Sequence, residues 1–88
     1  MTYEEFKALV RQAGEARAAH GGLVPIPDLR RECQALKRAE FDAMLMTLHV
    51  EGQIHLLSHV DSGLLSDSTK AECFHHPSGA SLYWIRWL

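Results

Sequence analysis

Lys37–Gly52, KRAEFDAMLMTLHVEG, decides the fold. Phe41, Met44, Leu45 and Leu48 recur at i, i+3, i+4 and i+7, the spacing of a helical stripe that turns toward a core. Gly52 ends the run, and a strand-like segment, Gln53 to Val60, follows at once. There Ile54, Leu56, Ser58 and Val60 fall on one side and His55, Leu57 and His59 on the other. Ahead of the stretch, Pro27 to Leu36 reads as a short helix and a turn. Pro27 suits the first helical turn and Asp28 its positive end. Leu29 and Cys33 share the inner face, Arg30 and Arg31 are expected to turn outward, and Leu36 anchors the turn Gln34-Ala35-Leu36.

Working outward, Thr2 and Glu5 form a capping box that satisfies amides of a first helix. Phe6, Leu9, Val10, Ala13 and Ala16 continue that helix, predicted from Tyr3 to His20, until Gly21-Gly22 stops it. Gly14 weakens it by up to ~1 kcal/mol relative to Ala. Leu23-Val24-Pro25-Ile26 is extended, since a residue before proline is pushed out of the helical region, and Pro25 fits an edge strand. Toward the C-terminus, Asp61-Ser62-Gly63 is a turn signal and Ser66 caps a short helix over 67–72. His76-Pro77-Ser78-Gly79 is a second turn. Ser81 to Leu88 then returns as one strand, with Tyr83, Ile85 and Trp87 on one face and Leu82, Trp84, Arg86 and Leu88 on the other. Its aromatic rings are expected to close the core against the first helix rather than to form a base-stacking platform.

A chain of 88 residues fits one small domain, 1–88, with a thin core. Its 47% apolar and 23% charged residues are the proportions of a folded chain, which argues against disorder. A net charge of −2 lacks the basic excess of a sequence-independent nucleic-acid binder. Cys33 and Cys73 have no CxxC pairing, so reduced thiols and a cytoplasmic location are expected. Thr2-Tyr3-Glu4-Glu5 is polar and acidic, unlike a signal peptide, and no apolar run approaches the ~20 residues of a membrane span.

Three segments, Val24-Pro-Ile-Pro-Asp-Leu29, Phe41-x-x-Met-Leu-x-x-Leu48 and Gly52-Gln-Ile-His-Leu56, resemble the winged-helix (winged helix-turn-helix) superfamily. The resemblance implies an α+β winged helix. Three helices and a small antiparallel sheet would follow the order helix, strand, helix, helix, strand, strand. The wing is expanded by the Leu64–His76 stretch and holds a short helix. Such domains commonly place the third helix in the DNA major groove, while many serve as protein-interaction modules.

The residues allow both functions. Arg30, Arg31, Lys37 and Arg38 gather where such a domain meets the phosphate backbone, so a DNA-associated regulatory module with double-stranded DNA as partner is one reading. Asp28, Glu32 and Glu40 partly neutralise that cluster. On the third helix, the face opposite the core stripe carries Ala39, Ala43, Met46 and Val50, flanked by Glu40 and Thr47 on one side and Asp42 and His49 on the other. A base-reading helix wants Arg, Lys, Asn or Gln there. An apolar row instead suits a second copy of the chain or another protein, unless the wing or the first helix covers it.

His55, His59, Cys73, His75 and His76 fall in or near the wing. His55 and His59 would stand about 13 Å apart on one strand, too far to share a zinc, and the close paired spacing of structural zinc sites is missing. The expectation is no metal and no cofactor. With no Gly-rich phosphate loop, no GxSxG and no clustered acid pair, the chain is also expected to be no enzyme and to take no small-molecule substrate.

Overall fold

The computed structural model describes residues 1–59 and 62–88. Thr2 and Glu5 start α1, Tyr3–Ala16, through the expected capping box. The Glu5 amide donates to Thr2 Oγ1 at 3.2 Å and the Thr2 amide to Glu5 Oε1 at 3.1 Å. Hydrogen bonding from Thr2, its backbone amide first and then its side chain, holds the Glu5 carboxyl below its usual pKa. α1 ends four residues earlier than the sequence suggests. The Arg17 amide closes a tight bond on the Gly14 carbonyl at 3.1 Å, and residues 18–20 form a 3-10 turn that runs into Gly21 at φ 79°.

β1, Leu23–Pro25, leads into α2, Ile26–Glu32, with Pro27 in its first turn. α3, Arg38–Val50, buries Phe41, Leu45 and Leu48 as the stripe requires, and Met44 packs half-buried beside them. Past Glu51 the chain reverses at Gly52, whose φ of 76° suits glycine. The Gln53 amide there donates to the Leu48 carbonyl at 3.0 Å. β2, Ile54–Leu57, is shorter than the predicted strand; Val60 and Asp61 lie outside the described residues.

Between β2 and the last strand the chain builds a long insert. It holds a 3-10 turn at residues 62–64, then α4, Asp67–Glu72, capped by Ser66 Oγ accepting from the Thr69 amide at 3.2 Å. β3, Phe74–His75, and β4, Ser81–Leu82, follow as a small hairpin around the His76–Gly79 turn. The expected single strand from Ser81 changes partner at Tyr83. Up to Leu82 it pairs with β3, whereas β5, Trp84–Trp87, lies between β1 and β2 in an antiparallel sheet of order β1-β5-β2. Tyr83 is the switch, donating its amide to the Leu57 carbonyl at 2.9 Å and accepting from the Ile26 amide at 2.7 Å. The architecture of the described residues is thus α+β, four helices and small antiparallel sheets.

Phe6, Val10, Val24, Ile26, Leu29, Phe41, Leu45, Leu48, Ile54 and Ile85 form one core, joined from the insert by Phe74. Phe6 and Phe41 meet edge to face at 5.4 Å, an arrangement that adds about 0.5–1.5 kcal/mol beyond area burial. Gly14 is buried, and a Cβ there would stand 2.8 Å from Trp87 Cβ. Glycine therefore lets the last strand lie against α1, which offsets its poor helix propensity. Trp87 and Ile85 close the core as the pattern suggests. Tyr83 and Trp84 do not: their rings meet edge to face at 4.6 Å and both contact His59 outside the core.

Candidate interaction surface on the third helix

Two sets of side chains compete for a functional role, the cations around the α2–α3 turn and the outer face of α3. Arg30 is the main correction to the sequence reading. Expected outward, its side chain is only 11% exposed and reaches across to the insert. Nε donates to the Glu72 carbonyl, and Nη2 donates to the Cys73 carbonyl at 3.1 Å and to Asp42 at 2.7 Å. The guanidinium also lies over the Phe41 ring, 4.6 Å from its centroid. A planar fork with several fixed donors suits this task, and the side chain is thereby committed.

Arg38 supports the same clasp, donating to the Cys73 carbonyl at 3.2 Å while Nε lies 3.8 Å from Asp42. Arg31 bridges Asp28 at 3.3 Å and Glu72 at 3.4 Å. Lys37 is exposed and makes no ion pair among the described residues. The four grouped cations therefore divide: Arg30 and Arg38 hold the end of α4, Arg31 is countered by two carboxylates, and Lys37 faces water. A cavity of about 160 Å³ opens beside them, lined by Arg30, Cys33, Leu36, Arg38 and Phe41.

The clasp also decides what remains of α3's surface. Asp42 is half-buried under Arg30, and the His49 ring meets His76 of the insert at 6.4 Å, so the insert covers that flank. Met46, expected on the open face, is half-buried and touches the core. Ala39 and Ala43 are exposed, and Val50 is 76% exposed. The outer face thus keeps an apolar row with no cation in it, flanked by exposed Glu40 and Thr47.

The histidines of the insert, and His59 just past β2, take local partners. His75 Nδ1 lies 3.3 Å from Ser81 Oγ, and His76 Nδ1 accepts from the Ser78 amide at 3.1 Å. His59 stacks on Trp84 with ring centroids 6.0 Å apart. Among the described residues no three His, Cys, Asp or Glu side chains stand together as a metal site requires. Cys33 and Cys73 are free and buried, and burial pushes both thiols up in pKa. They pack as small apolar groups, Cys73 donating weakly to the Thr69 carbonyl at 3.4 Å. Among the described residues no helix is long and apolar enough to cross a membrane.

Comparison with protein-family models, with curated proteins and with solved structures found no match.

The Arg30 clasp could not be found from sequence spacing, because its carbonyl partners lie 42 and 43 residues away. The one available signal is chemical: an arginine within a short helix, one residue after the buried Leu29, sits at the border of the inner face.

Proposed function

We propose that this chain is a non-catalytic winged-helix module that works by contact with protein through the outer face of α3. The order of helices and strands supports the winged-helix assignment, as does an antiparallel sheet with the last strand between the first and second. One observation carries the functional part. The helix that would enter a DNA groove presents Ala39, Ala43 and a largely exposed Val50, side chains that offer base edges nothing to bond. Glu40 beside them is repelled by phosphates. The free thiols Cys33 and Cys73 support a cytoplasmic setting.

The DNA-associated reading keeps Lys37 and the outer parts of Arg31 and Arg38. It loses Arg30, whose withdrawal from the clasp would take the donor from the Glu72 carbonyl and the nearer cation from Asp42. Titration with random duplex DNA at low ionic strength separates the two readings. No mobility or anisotropy shift is expected for the wild-type chain. A salt-sensitive shift that disappears in a variant carrying Arg31→Glu and Arg38→Glu would overturn the protein-contact reading.

A further inference from the structure

We propose that the cavity beside the α2–α3 turn is a binding site for a small monocarboxylate with a single-ring apolar body. The site is independent of what meets the outer face of α3, because none of Ala39, Ala43, Met46 and Val50 lines it.

Its walls are of two kinds. Cys33, Leu36 and Phe41 form an apolar side, and Arg30 and Arg38 form a cationic one. Cys33 and Phe41 are each 2% exposed, so the apolar side belongs to the packed interior rather than to a loose surface. An occupant with an apolar body is favoured there over water or a bare ion. The space, about 160 Å³, suits one ring, since a dry cavity of about 150 Å³ accepts benzene.

The arginines decide what head group that ring carries. A guanidinium holds several N–H donors in one plane. Arg30 commits Nε and Nη2 to the clasp, and its Nη1 has no partner among the described residues. The side chain is 11% exposed, so a donor left unfilled there is costly. Arg38, 50% exposed, gives Nη2 to the Cys73 carbonyl, and its Nη1 also has no partner among the described residues. Its Nε stands 3.8 Å from Asp42, beyond hydrogen-bond reach.

The charge balance narrows the choice further. Asp42 is paired with both arginines, and among the described residues neither has a second carboxylate. One positive charge is therefore left over. The exposed residues next to the site in sequence, Glu32 and Lys37, offset each other. A carboxylate is the monoanion whose planar shape a guanidinium matches through two parallel bonds. A dianion such as sulfate would exceed the spare charge and leave Leu36 and Phe41 uncovered. The acid would set its carboxylate on Arg38, where half exposure keeps the charge partly hydrated, and its ring on the apolar side. It is held as a ligand, and no bond is made or broken.

Benzoate, benzamide and acetate, titrated separately into the isotope-labelled wild-type chain and followed by amide shifts, test the site. Benzoate is expected to give a saturable response centred on residues 33–38 and Phe41. Benzamide keeps the ring without the charge and acetate keeps the charge without the ring. Each is expected to bind about tenfold more weakly, or less. R38Q is expected to weaken benzoate by about tenfold, and L36W, which fills the space and keeps both arginines, to abolish its binding. No saturable response to benzoate at about 50 mM, or one centred elsewhere, overturns the site. Benzamide binding as tightly as benzoate overturns the carboxylate, and acetate binding as tightly overturns the ring. Unchanged affinity in R38Q overturns the part given to Arg38. The three-ligand comparison is made on the wild-type chain, so it holds even where a variant fails to fold.

Discussion

The two faces of α3 follow the same spacing and have different fates. Phe41, Leu45 and Leu48 sit at 2% exposure or less, whereas Ala39, Ala43 and Val50, on the opposite side, are exposed. Periodicity therefore marks a surface suited to packing without saying which molecule supplies the other half. The inner face is filled by elements far away in the chain, from Phe6 to Ile85. Among the described residues the outer face lacks such a partner at three of its four positions, and its flank is closed by an arginine clasp instead of by apolar packing.

Substitutions can widen or erase that contrast. The largest effect is expected on the inner face: Leu45→Ala should cost about 3–5 kcal/mol of folding stability, since a fully buried leucine leaves a cavity. Urea denaturation measures it, and a cost below about 1 kcal/mol would mean that the inner face is not packed as described.

An intermediate effect is expected at the flank. Arg30→Ala removes the nearer cation from Asp42 and leaves the Glu72 carbonyl without its arginine donor, while the Cys73 carbonyl keeps Arg38, at about 1–3 kcal/mol. Hydrogen exchange should locate the damage, with amides of α4 and the β3–β4 hairpin exchanging faster than those in the middle of α3. Uniform acceleration over the whole chain would show that the clasp acts on the core rather than on the insert.

The smallest effect is expected at the C-terminal end of α3, where the Tyr3 hydroxyl donates to Glu51. Burial, the hydrogen bond and the nearby Glu51 charge push the Tyr3 pKa up from 10.0 to about 12. Folding thus favours the neutral phenol. Its contribution is complete below pH 10 and is lost as the pH rises through about 12. The stability difference between the wild-type chain and Tyr3→Phe should stay flat up to pH 10 and then shrink. A difference unchanged to pH 12 would remove this tie between α1 and α3.

Local chemistry made much of the fold legible. The Thr2 and Ser66 caps, the α3 stripe, the Gly52 reversal and the Pro27 start all act within a few residues, and all stand where the sequence places them. The misreadings depend on distant partners. Tyr83 alternates like an inward residue, yet its strand leaves β3 there and enters the sheet between β1 and β2, so its ring joins His59 and Trp84. Arg30 looks like a surface cation because nothing nearby in sequence shows that α4 ends beside it. Gly14 reads as a weak helix position until Trp87, 73 positions later, lies against it. At the candidate site, Ala39, Ala43 and Val50 are exposed as the helical geometry of the sequence implies. Met46 is drawn partly into the core by tertiary contacts that no spacing encodes.

Arg30 and Arg38 hold the insert by carbonyl oxygens of residues 72 and 73, groups that every amino acid carries. A grip on backbone is indifferent to the side chains of the segment it grips. The exposed residues of α4, Asp67, Ser68, Lys70 and Ala71 among them, can be rewritten without moving the point of attachment, provided the helix still ends there and Phe74 still fills the core. The insert is therefore a platform whose position is inherited from the helices beneath it, while its outward chemistry is free to diverge.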